Sequence, residues 1–257
     1  MRIEAGGVRC DGADGSPGAE VRFVLAQDSS AALSSALEPA LRGALSSAAE
    51  AKTAFVFELA TELCRFQVVP WVHGLHSRED RRTLARSRFE AVYGLMAREW
   101  SVELCEGGFG RGGLAVAVPS VLPAAIARAC LDTGATAAQI RPACSAGIHK
   151  LLRKAGARAS WLVVPDGDHV FVGNVSRRGW IGASSLHENG HGFFRPLGDL
   201  LVRESLLAAA GSAEAPVLIC VPAQYGPARA GRANPAQPPP LSLEAGGQRW
   251  ALEWVGS

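Results

Sequence analysis

The sequence predicts a two-lobed α/β protein in which mixed sheets are flanked by helices. Three observations lead there. Short runs rich in Val, Ile, Phe and Trp, bounded by Gly, Asp and Pro, read as strands and hairpins. Between them, leucines recur at helical spacing, as in Leu33, Leu37, Leu41 and Leu45. The order of these signals, strands and hairpins first and then a helix and a further strand, is then repeated after a break near residue 156. The expected lobes are therefore residues 1–156, with a helical excursion at about 77–99, and residues 157–257, with a Pro-rich loop at 223–240.

Along the first lobe, residues 1–27 read as strand, turn, strand, because CDGADGSPG is saturated with turn residues. Asp28-Ser29-Ser30 offers a cap for the leucine-striped helix, which Pro39 is expected to kink. FVFELATELCRFQVVPW, residues 55–71, holds one long strand or two. Ser77 with Asp80 three residues on resembles a capping box, and Ala85, Phe89, Val92, Met96 and Trp100 mark the apolar face of the helix that follows. Its other face carries Arg78, Arg81, Arg82, Arg86 and Arg88 among Glu79, Asp80 and Glu90. That row is either a solvated face or a docking surface for an acidic partner, through Arg78, Arg81, Arg82 and Arg86.

WSVELCE, GGFGRGG and LAVAV read as a hairpin. The glycines do not make a phosphate loop, since such a loop must feed a helix whose N–H groups bind the anion, and this one feeds a strand. A strand from Leu114, a helix opening near Ser120 and capped by Gly134, and a strand near Ala137–Arg141 suggest a βαβ unit. A helix over about Ala143–Ala155 ends the lobe. Cys144 and His149 are five residues apart there, so their side chains diverge, and a buried thiol with a surface imidazole is expected rather than a catalytic dyad.

In the second lobe, Trp161 to His191 reads as three strands joined by tight turns at Asp166-Gly167 and Arg177-Arg178-Gly179. A helix over about Arg195–Ala210, with Leu197, Leu200, Leu201, Val202 and Leu207 inward, leads to PVLICVP, which reads as a buried strand. LSLEAGGQRWALEWV reads as a closing hairpin.

Composition narrows the function. With 48% hydrophobic and 19% charged residues the chain reads as globular, and a net charge of +2 argues against nucleic acid as a partner. Six dispersed cysteines (Cys10, Cys64, Cys105, Cys130, Cys144, Cys220) suit reduced, mostly buried thiols in a cytosolic protein. The N-terminal MRIEAGGVRCDG lacks the apolar core of a signal peptide, and no run reaches the roughly 18 to 20 apolar residues of a membrane helix.

One string has catalytic form. His187, Glu188 and His191 fit HExxH, in which two histidines on one helical face ligate zinc and the glutamate activates the bound water of a metallopeptidase. Asn189-Gly190 and Gly192 are breaker signals, however, and a polar loop between strand and helix is the competing reading.

The segments WVHGLHSREDRRTLARSRFEAVYGLMAREWSVEL (71–104), WLVVPDGDHVFVGNVSRRGW (161–180) and PLGDLLVRESLLAAAGSAEAPVLI (196–219) carry a resemblance spanning about residues 63–222. They resemble small bacterial proteins allied to the actin-like cytoplasmic part of the type II secretion L protein and the type IV pilus M protein. The resemblance implies an actin-like (ribonuclease-H-like) fold used as a non-catalytic scaffold or adaptor for protein partners at a pilus or secretion platform. The chain departs from that pattern in showing no membrane helix after the cytoplasmic part and no obvious nucleotide site. No cofactor is therefore expected, and the expected location is cytoplasmic, at most peripheral at the inner membrane. A nucleotide-binding ATPase of the same fold would hold phosphate at Asp-Gly hairpin turns, for which Asp11-Gly12, Asp14-Gly15 and Asp166-Gly167 are the candidates.

Overall fold

The computed structural model describes residues 1–4, 7–11, 17–22, 30–48, 54–75, 77–187, 194–207, 215–221, 242–245 and 248–256. They divide into two compact units: Met1–Arg65 with Phe89–Val102 and Ala117–Ala143, and Phe66–Arg88 with Glu103–Val116 and Cys144–Ser257. The units are interleaved in sequence, where a single break near residue 156 was expected. The chain makes its last change of unit at Cys144.

The first unit opens with three strands, β1 (Arg2–Glu4), β2 (Gly7–Asp11) and β3 (Pro17–Arg22), paired antiparallel in succession. Helix α1 (Ser30–Ala48) follows and contains Pro39 within its span. Then β4 (Ala54–Leu59) lies parallel to β1, and β8 (Thr136–Pro142) lies parallel to β4. The sheet order is β3-β2-β1-β4-β8. Leu37, Leu41 and Leu45 are buried, as the leucine spacing predicted, with Ile3, Val8, Phe57, Leu122 and Ile126 also in the core. Helix α3 (Val121–Thr133) ends on Gly134 at φ +69, the expected left-handed cap, and packs along α1. Arg128–Glu38 (2.7 Å) and Arg42–Asp132 (2.8 Å) join the two helices.

Between β4 and α3 the chain forms β5 (Arg65–Val69), α2 (Arg78–Tyr93), a 3₁₀ turn (Gly94–Glu99), β6 (Trp100–Cys105) and β7 (Gly113–Pro119). These strands make a separate sheet of order β5-β7-β6. The apolar run at 55–71 is thus two strands, split by a 3₁₀ turn at Thr61–Leu63. Asp80 donates its backbone N–H to Ser77 Oγ (3.0 Å), so the expected N-cap forms. The βαβ expectation is corrected. β7 and β8 flank α3 in sequence but belong to different sheets, and the parallel partner of β8 is β4.

The apolar face expected for α2 is corrected in part. Ala85 and Phe89 are buried, whereas Val92 and Met96 are exposed. The α-helix stops at Tyr93, and Gly94, at φ +68, turns the chain into the 3₁₀ segment, which breaks the stripe. Tyr93 takes the place assigned to Val92, with its ring 6.2 Å from Phe89 and 5.0 Å from Trp100.

The second unit repeats the first. After α4 (Ser145–Ala155), strands β9 (Ser160–Asp166), β10 (His169–Ser176) and β11 (Gly179–His187) pair antiparallel in succession. Helix α5 (Phe194–Leu207) follows; β12 (Val217–Val221) runs parallel to β9, and β14 (Gln248–Gly256) runs parallel to β12. With β13 (Ser242–Ala245) antiparallel to β14, the order is β11-β10-β9-β12-β14-β13. The first five strands reproduce the arrangement of the first sheet: a three-strand meander, a helix, and two strands added in parallel beside its first strand.

Both faces of this sheet are covered, which is why WLVV and VLICV are continuous apolar runs rather than alternating ones. Trp161 and Val163 join Leu197, Leu201, Val217 and Trp250 in one core. On β9 the intervening Leu162 and Val164 are buried too, and a Cβ on Gly147 of α4 would lie 2.7 Å from Val164. Each fully buried Leu or Val of this core contributes about 1.5–3 kcal/mol.

Candidate functional site

The arginine row of α2 is largely engaged within the chain. Arg82 forms a two-pronged pair with Glu103 of β6 (2.9 and 2.6 Å), and that hydrogen bond, with the charge of Glu103, raises the guanidinium pKa above its ordinary value. Arg81 pairs with Glu106 (3.0 Å), and Arg86 lies 3.7 Å from Glu79. Arg78 is exposed and has no ion pair among the described residues.

Arg81 also leads to a group that the sequence reading did not single out. Its guanidinium carbon lies 5.6 Å from the centre of the Trp71 ring, a cation–π distance. Trp71 in turn lies 4.9 Å from Phe109. Phe109 sits at the tip of the β6–β7 loop, between Gly108 and Gly110, whose φ values are +85 and +72, and it is 86% exposed. The glycine-rich string is thus a hairpin loop, as expected, and it displays an aromatic ring. Val72, beside Trp71, is exposed as well.

This loop is fastened to the β10–β11 turn of the same unit. Gly112 N–H donates to Arg178 O (2.9 Å), Trp180 N–H donates to Gly112 O (3.3 Å), and Gly112 and Gly179 form a parallel bridge. No side chain fits at the junction. A Cβ on Gly112 would lie 2.6 Å from Trp180 O, and one on Gly179 would collide with the Gly112 carbonyl oxygen. Ala157, Arg158 and Ala159, with Ser176, Arg177 and Arg178 of the turn, line a depression of ≈ 470 Å³. Arg177 and Arg178 are exposed and have no ion pair among the described residues; Arg158 is 3.7 Å from Glu253.

His187 ends β11, so the HENGH string is not helical at its first histidine. Its neighbour across the strands is His169, with ring centres 4.7 Å apart. Glu188 and His191 lie outside the described residues, and so does the whole Pro-rich loop expected at 223–240. Among the described residues no group of three His, Cys, Asp or Glu side chains could hold a metal ion. Asp166-Gly167 forms the β9–β10 hairpin turn with Gly167 at φ +62. Of the other Asp-Gly candidates, Asp11 ends β2, while Gly12, Asp14 and Gly15 lie outside the described residues.

Cys144 is buried and His149 exposed, as their spacing implied. Cys64, Cys130 and Cys220 are buried free thiols, and Cys105 is an exposed one. Burial pushes the Cys130 thiol pKa up, and burial does the same at Cys220 against a smaller lowering by Lys150. No helix among the described residues is long and apolar enough to cross a membrane.

The strand order defines the class: a ribonuclease-H-like sheet built twice, which is the actin-like plan. No known protein family and no curated protein sequence matches the chain. Among solved structures, it is similar to the cytoplasmic domain of EpsL, an inner membrane component of the type II secretion system of Vibrio cholerae. The TM-score is 0.53 with 14% identity, over 100% of this chain and 88% of that one. A structure of the PilM–PilN type IV pilus biogenesis complex is matched at TM-score 0.46 and 14% identity, over 80% of this chain and 65% of that one. A Bacteroides thetaiotaomicron protein with an actin-like ATPase fold is matched at TM-score 0.48 and 11% identity, over 85% and 79%. The resemblance seen in the sequence is borne out as a fold.

Proposed function

We propose that the chain is a non-catalytic actin-like scaffold that binds protein partners at a bacterial pilus or secretion platform, on the cytoplasmic side of the inner membrane. The observation that carries the reading is the likeness to the EpsL cytoplasmic domain, which extends over the whole chain. EpsL is itself described as an inner membrane component of a secretion system. The chemistry of the chain gives this reading further support. His187 sits on a strand rather than on the helix that a zinc peptidase string requires.

The test is photo-crosslinking in the native bacterium, with the crosslinker placed at exposed positions such as Leu95 and Met96, which are 73% and 68% exposed. Recovery of secretion or pilus platform components supports the proposal. Their absence from crosslinks of a well-expressed chain overturns it.

A further inference from the structure

We propose that one edge of the second unit docks on an anionic membrane surface, with Phe109 inserted between the headgroups and Arg111, Arg158, Arg177 and Arg178 held against lipid phosphate. From the preceding section the inference takes only a location beside a membrane. Its support is the surface itself.

Three chain turns meet there. The β6–β7 loop brings Phe109 and Arg111, the β10–β11 turn brings Arg177 and Arg178, and the α4–β9 connection brings Arg158. The first two are locked together through Gly112 by backbone hydrogen bonds, and a Cβ at Gly179 would lie only 3.1 Å from that of Arg111. The second and third share the walls of the ≈ 470 Å³ depression. Arg153 and Lys154, both exposed in the last turn of α4, extend the positive charge. The carboxylates paired into this surface are Glu253, with Arg158, and Glu106, with Arg81. Arg177 and Arg178 remain without an ion pair among the described residues.

Shape decides between a lipid surface and an acidic protein. A strand-adding peptide would use the edge of β11, which begins beside the turn, whereas the exposed ring and arginines lie off that edge, on the loop and turn that precede it. Here the features are tips: an aromatic ring raised on two left-handed glycines, and arginines on a tight turn. The depression that the turn shares with the α4–β9 connection is walled by two alanines, a serine and three arginines, and those arginines can hold a phosphate group. An aromatic side chain at headgroup depth beside cations is how peripheral proteins hold an anionic bilayer.

The test is flotation of the purified full chain with vesicles of phosphatidylglycerol and phosphatidylcholine, compared with phosphatidylcholine alone. Binding to the anionic vesicles only, weakened by added salt, is expected. The Arg177→Glu/Arg178→Glu variant should lower the affinity by a factor of about thirty or more, and Phe109→Ser by about tenfold. These positions are exposed, so an unchanged melting temperature verifies folding. No binding to anionic vesicles overturns the proposal. So does binding insensitive to either variant, full displacement by inorganic phosphate, or equal affinity for soluble polyglutamate. Vesicle binding without platform crosslinks would sink the scaffold reading alone, and the reverse result would sink this one alone.

Discussion

Gly179 is the residue on which the joining of the aromatic loop to the arginine turn depends most directly, and Gly179→Ala measures that dependence. At φ +89 an alanine already costs about 1–2 kcal/mol. Its Cβ would also strike the Gly112 carbonyl oxygen and lie 2.9 Å from Gly112 N. Both are backbone atoms, so the loop must withdraw. Withdrawal loosens the Gly112-to-Arg178 (2.9 Å) and Trp180-to-Gly112 (3.3 Å) hydrogen bonds. At about 0.5–1.5 kcal/mol each, with the conformational cost, the loss comes to roughly 2–5 kcal/mol. For a chain of this size that is a fall in melting temperature of roughly 5–15 °C. The control is Gly167→Ala, at φ +62 with nothing near its Cβ, which should lose only the conformational share. Urea unfolding of both variants gives the comparison. Equal losses would refute the claim that backbone contact at Gly112 requires the glycine.

Phe171 is fully buried, edge-on to Phe66 at 4.8 Å and to Trp180 at 6.1 Å, so Phe171→Ala should cost about 3–5 kcal/mol in urea unfolding. A loss below about 1 kcal/mol would contradict that packing. The Cys130 and Cys220 thiols titrate above the ordinary 9.0, so the folded chain holds its protons where the unfolded chain has released them. Their contribution is therefore complete below that value and is lost as pH rises past it. Stability should fall on the alkaline side, and Cys130→Ala/Cys220→Ala should flatten that fall in a pH series of denaturant midpoints. A scaffold without catalysis should gain no melting temperature from ATP with Mg²⁺, and a rise of several degrees would show a nucleotide site. Elemental analysis of chelator-free protein should find no stoichiometric zinc; one zinc lost in His187→Ala would revive the HENGH string as a metal centre.

The fold was legible where periodicity was undisturbed. The Leu37–Leu41–Leu45 stripe, the Ser77 cap, the Gly134 stop and the Asp166-Gly167 hairpin are local chemistry, and each forms as read. What failed was inference from adjacency. β7, α3 and β8 follow one another in the chain, yet β8 finds its partner in β4, across the whole insertion. A sheet is closed by non-local pairing, which no window of residues encodes. Val92 and Met96 failed because a stripe presumes an unbroken helix, and the left-handed Gly94 ends it. The Trp71–Phe109–Arg81 group went unread for a similar reason. Phe109 was visible among its glycines, but only the folded hairpin brings it to Trp71, thirty-eight residues earlier in number.

The two sheets share their strand order, so what distinguishes this chain is what is not repeated. In the first copy, the connection between the two parallel strands β4 and β8 carries β5, α2, β6 and β7 before α3. In the second, the connection between β12 and β14 carries β13 and the Pro-rich stretch. HENGH falls in neither. In sequence it begins at the end of β11 and runs toward α5, as the stretch from β3 to α1 does in the first copy. The aromatic loop, by contrast, belongs to the insertion, and it is tied to a hairpin turn of the repeated framework through Gly112. A rigid framework turn holding an added loop is how a common fold acquires a particular surface. The residues that make this chain more than a duplicated sheet are therefore Trp71, Phe109 and Arg111 from the insertion, with Arg177 and Arg178 from the turn that anchors it.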